Sequence, residues 1–234
     1  MDTLRQLLLA IHLTAGLAAL VLFWVPALSR KGGPLHRRAG RWYVKAMTVV
    51  VVTGLPLAGL FIASERWRTG VFLLFLALIT GTALWNGWRV LKLKTAPLRY
   101  TDRRHLAVAL ANVVGGAALI AFGIAVKAPL FYSFGPVGLL IGGGMLSLAL
   151  RRTADPKYWL YEHFTGMIGS GIASHVAFLV FGGRQLFGWG QDGAGLVLWM
   201  APVVIGAVAI TALNIHHRAK SAAAMAAAPR PAVS

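Results

Sequence analysis

Seven apolar stretches divide the chain from end to end, each close to the roughly 20 residues a helix needs to cross about 30 Å of hydrocarbon. They cover residues 7–28, 42–63, 71–90, 106–126, 131–150, 158–181 and 196–215. Barrel strands would be half as long and would alternate in polarity, so this pattern predicts an all-α polytopic transmembrane bundle of seven helices. With 58% hydrophobic and 12% charged residues, the composition agrees.

The net charge of +17 would point to nucleic acid in a soluble protein, but here the position of the charges decides against such a partner. Of 23 Lys and Arg, 18 fall on alternate connections and the C-terminal tail: residues 30–45, 89–104, 151–157 and 218–230. The other side holds Arg5, Arg66, Arg68, Lys127 and Arg184. The positive-inside rule then predicts the N-terminus outside and the C-terminus inside, which needs an odd number of crossings and places the chain in the inner membrane of a prokaryote. A cleaved signal peptide competes for the first 29 residues. The first apolar run is longer than a signal core, however, and ends in a basic cluster, as a span does.

Short connections predict one membrane domain over residues 1–217, followed by an alanine-rich cytoplasmic tail, 218–234, expected to be disordered. With no cysteine, thiolate metal sites, disulfides and covalent c-type haem are excluded, and a metal must use histidine, carboxylate or methionine. No paired carboxylates, dense histidine boxes or nucleophile and base arrangement suggest a lipid-modifying enzyme. Glycines recur on the later segments, among them Gly115, Gly116, Gly142 and Gly166, and predict either close helix packing or room for a flat macrocycle. Aromatic residues near segment ends, such as Trp42, Tyr43, Tyr100 and Tyr158, read as interfacial anchors.

Histidines carry the functional expectation, because an intramembrane imidazole needs a partner. Counted from the segment ends, His12 in the first segment and His175 in the sixth fall at one depth, which suits two axial ligands of a b-type haem or two ligands of a metal. An inner site would use His163, about 18 Å lower on the sixth segment, with His105 or His36 as partner. Glu162 is placed either to support a ligand histidine or to pair with a nearby cation such as Arg37, Arg38, Arg41 or Lys157. Arg37, Arg38 and Arg41, in the glycine- and proline-containing loop before the second segment, fit membrane lipid headgroups, and more weakly a haem propionate or a quinone. His216 and His217 read as interfacial residues that end the seventh helix.

The string His12, Lys31-Gly32, His36-Arg37, Gly40-Arg41, Tyr43 and Met47 resembles a large group of prokaryotic multi-pass membrane proteins classed as a domain of unknown function. Trp159-Leu-Tyr-Glu-His163, followed by Gly166-Met-Ile-Gly169-Ser170, is similar to a second motif of that group. The resemblance covers most of the chain and implies no particular reaction. It makes His12, His36 and His163 a rival set that omits His175. Three functions follow as expectations: a haem- or metal-binding electron carrier, working with a quinone or another redox partner; a small-molecule transporter or channel; and a non-catalytic membrane scaffold.

Overall fold

The computed structural model describes residues 2–151, 155–189 and 195–226. Seven helices in it are long and apolar enough to cross a membrane, one for each expected segment. They are α1 (Asp2–Leu28), α2 (Pro34–Ile62), α3 (Trp67–Arg89), α4 (Arg103–Ala125), α5 (Pro129–Leu150), α6 (Tyr158–Ala177) and α7 (Gly195–Ala226). No strand occurs among the described residues. A short helix, Pro97–Tyr100, lies between α3 and α4, and a π turn, Phe178–Gly182, carries α6 into the short helix Gly183–Phe187.

Helix α3 is the most deeply buried, packing on α2, α4, α5 and α6. Away from the basic connections, its Phe72 and Phe75 join Phe131 and Phe134 in one cluster, with Phe72 stacked on Phe131 at 5.2 Å between centroids. Nearer the basic connections, Ala19, Tyr43, Met47 and Leu84 tie α1, α2 and α3 together.

Glycine lets the helices touch. A Cβ on Gly166 of α6 would lie 2.5 Å from the Ala83 carbonyl oxygen and 2.6 Å from Gly87 Cα of α3. One on Gly116 of α4 would lie 2.6 Å from the Gly135 oxygen of α5. At these positions neighbouring backbone fills the space, so the glycines serve packing and leave no slot for a macrocycle there.

Two boundaries and the placement of three tyrosines differ from the sequence reading. The basic stretch before the second apolar segment is helical from Pro34, because Gly32 turns the chain at φ +74° and Pro34 opens the helix where no N–H is required. His36, Arg37, Arg38 and Arg41 are therefore helix residues. At the other terminus α7 runs on to Ala226, as alanine favours, so Arg218 and Lys220 stand on its end, while residues 227–234 of the expected disordered tail lie outside the described residues. Third, Tyr43, Tyr100 and Tyr158 are buried rather than spread at the interface, because each hydroxyl finds an internal acceptor.

The connections 29–33 and 90–102, with the start of α6, meet at one end of the bundle, hereafter the basic end. Arg89 pairs with Asp102 at 2.8 Å there, and Lys157 donates to Ser221 at 3.0 Å, joining α6 to α7.

Candidate metal or haem site

His36 sits in the first turn of α2, where its Nδ1 lies 3.1 Å from the Pro26 carbonyl oxygen near the end of α1. The Lys31 ammonium also reaches that carbonyl at 3.0 Å and the Ala27 carbonyl beside it, so the two side chains satisfy acceptors that the end of α1 leaves open. His163 sits in the second turn of α6, with Nδ1 2.8 Å from the Gly87 carbonyl oxygen in the last turn of α3. A carbonyl only accepts, so in both rings Nδ1 carries the proton and Nε2 keeps its lone pair. An Nδ1–H anchored to a backbone carbonyl is also the arrangement that fixes a ligating imidazole and raises its basicity.

These two rings are brought together, with centroids 6.3 Å apart and planes at 68°. Two imidazoles on opposite sides of one metal, each bound at about 2 Å, place their centroids about 6 Å apart. The observed centroid spacing lies close to that distance.

His12 and His175 are not brought together. His12 bonds through Nδ1 to Thr53 of α2 at 3.0 Å; since the Thr53 hydroxyl donates to the Val49 carbonyl at 2.6 Å, the imidazole is the donor. Although α1 and α6 are neighbours, His175 faces α1 at Phe23 and Trp24, with ring centroids at 5.1 and 5.5 Å. That contact is eleven residues along α1 from His12, about 16 Å. Counting from segment ends takes the ends of α1 and α6 as level, whereas α6 is offset along α1, meeting Phe23 at Gly171 and His175 and running on through the π turn to Phe187. The Nδ1–H of His175 donates within its own helix to Gly171 at 2.8 Å, and its Nε2 is buried without a hydrogen-bond partner among the described residues.

His105 is at the start of α4, as expected, but is fully buried rather than interfacial. Its Nε2–H donates to the Met145 carbonyl of α5 at 3.2 Å, and its ring lies 5.0 Å from that of Tyr100, so it belongs to a different cleft from His163. Glu162 supports no histidine and pairs with none of Arg37, Arg38, Arg41 and Lys157; its Oε2 accepts from the Tyr100 hydroxyl at 3.2 Å, on another face of α6. Arg37, Arg38 and Arg41 are exposed on the first turns of α2. His216 and His217 do not end α7, which runs nine residues past His217 to Ala226; the His217 ring meets Phe164 of α6 at 5.9 Å.

Several polar groups that organise the basic end escape a reading by residue type. Arg89 donates to the Arg99 carbonyl at 2.9 Å and to that of Tyr100, and lies over Trp85. Asp102 caps α4 by accepting from the His105 backbone N–H at 3.0 Å. Burial opposes its ionisation, but that N–H and the Arg89 guanidinium hold the carboxyl below its ordinary value. Burial, with Glu162 beside it, pushes the Tyr100 phenol up. The Asp102-x-x-His105 spacing before an apolar run is a helix-start signal that marks the cap in the sequence.

No group of three or more His, Cys, Asp or Glu that could hold a metal occurs among the described residues. Comparison with family models, curated proteins and solved structures finds no match.

Proposed function

We propose that the protein is an integral membrane electron carrier that holds a b-type haem between His36 and His163. The observation that carries this reading is the 6.3 Å ring spacing, with both Nδ1 atoms anchored to carbonyls and neither Nε2 hydrogen-bonded among the described residues. The donor set favours haem over a bare ion: structural zinc takes four protein ligands and catalytic zinc three, whereas a haem iron brings four ring nitrogens and asks for two axial ones. Bound haem supplies one-electron transfer.

The chain's own part is to fix both imidazoles as neutral bases, through Pro26 and Gly87, and to present cations nearby. Arg37, Arg38 and Arg41 stand on the same turns as His36 and suit propionates or lipid headgroups. A quinone in the bilayer and a redox protein are the partners such a carrier takes. Positive-inside bias puts the basic end at the cytoplasmic face of a prokaryotic inner membrane. The resemblance drawn from the two motifs supports the same pair, since His36 and His163 both fall within them.

The test is a visible spectrum of detergent-purified protein, oxidised and dithionite-reduced, after expression with supplied haem and iron. A reducible haem b spectrum is expected, lost in His36→Ala and in His163→Ala and kept in His216→Ala. A colourless, metal-free wild type would overturn the reading and leave the transporter and the scaffold.

A further inference from the structure

A cavity of about 750 Å³ runs along the outside of α3, between Val51 and Leu55 of α2 and Val108 and Ala118 of α4. None of the histidines lines it. From Val71 to Trp85 it follows fourteen residues of α3, about 21 Å, which is most of one hydrocarbon thickness. Gly81 and Gly115 deepen its floor, and the walls are apolar except for Thr82 and Trp85. The Thr82 oxygen is turned inward, accepting from Asn112 at 2.8 Å. A long apolar trough lying along the membrane normal has the form of a hydrocarbon chain.

The two ends differ. Away from the basic end, Trp67 packs on the lining residue Phe122 at 5.5 Å between centroids, and the nearby cations Arg66 and Arg68 have Glu65 beside them in sequence. At the basic end its lining reaches Trp85, whose indole N–H donates to none of the described residues. Arg104 lies one turn below Val108 on the same stripe of α4 and is exposed, whereas Arg89, below Trp85, is already neutralised by Asp102. The basic end of the trough therefore offers the exposed Arg104 guanidinium, which forms no ion pair among the described residues, for a phosphate and one indole N–H for an ester carbonyl, above a slot for the chain.

We propose that this trough is a stoichiometric binding site for an anionic phospholipid: one acyl chain along α3, the phosphate at Arg104, the ester at Trp85. The site is independent of the histidine pair, so it stands or falls separately from the haem reading.

Native mass spectrometry of the full chain tests it, first as purified in mild detergent and then delipidated and offered phosphatidylglycerol or phosphatidylcholine. One retained phospholipid and preferential rebinding of phosphatidylglycerol are expected. Arg104→Gln should cut that preference about fivefold, the effect of one basic residue on an anionic headgroup. Ala118→Phe, at an exposed position where added bulk enters the trough rather than the protein core, should remove the adduct. Equal uptake of the two lipids, an isoprenoid quinone in place of the phospholipid, or an adduct unchanged in both variants would overturn the site. Arg104→Gln alters only a surface residue, so it decides the matter even if Ala118→Phe does not fold.

Discussion

The His163 imidazole is bonded to the carbonyl of Gly87, and Gly87 is the residue against which Gly166, one turn farther along α6, rests backbone to backbone. The orientation of the ring and the approach of α3 to α6 are thus one geometric fact. Gly166→Val must push the helices apart and should cost on the order of 3 kcal/mol, the upper part of the range for overpacking. It should also lower cofactor content without touching a ligand, measured as absorbance per mole of folded protein. Unchanged stability together with unchanged absorbance would refute the coupling.

His12 is bonded to Thr53 and remote from the paired rings, so His12→Ala should keep the cofactor spectrum and lose about 0.6–2 kcal/mol, as expected for an interhelical polar contact in a membrane. Thermal unfolding and absorbance on the same sample separate the two effects. Loss of the spectrum in this variant alone would move the site to α1.

The depressed Asp102 carboxyl sets an acid limit on the basic end. A group whose folded value lies below its unfolded one contributes stability that is full above the unfolded value and lost as pH falls through the folded one. The window therefore opens just below pH 4 and extends downward. Melting temperature in detergent should fall through that range in the wild type, and Asp102→Asn should flatten the fall while lowering stability at neutral pH. A variant that keeps the full acid slope would place its origin elsewhere.

Orientation is open to a direct check. A reporter fused after Ser234 should be active only in its cytoplasmic form, given that in the sequence 18 of 23 basic residues fall on alternate connections and the C-terminal tail. Periplasmic activity at that position would invert the assignment.

Seven spans are legible in the sequence because an apolar run of about 20 residues has one stable solution in a bilayer. Which residues meet across helices is much less so. The pairing of His36 with His163 depends on α2 starting at Pro34, and the polar residues from 34 to 41 conceal that helix because their charges resemble a loop. The expected partnership of His12 and His175 fails because α6 is offset along α1, so that His175 meets Phe23 and Trp24, and segment counting takes the helix ends as level. Tyr43 resembles an interfacial anchor beside Trp42, yet its hydroxyl meets Ser170 of α6 at 2.8 Å, a contact 127 residues away in sequence that no local pattern encodes.

The acceptors left open near the end of α1 are met by Lys31 and His36, only five and ten residues beyond Pro26. The first hairpin of the protein can thus lock during synthesis, as soon as α2 begins to emerge from the ribosome. By then His36 is already pinned through Nδ1, while His163 has yet to be translated. One half of the proposed ligand pair would thus be laid down at the outset of biogenesis, and the pair would be completed only when the sixth helix docks. Under the haem reading, incorporation of the cofactor would then be a late event that reports on docking of α6 against α2 and α3.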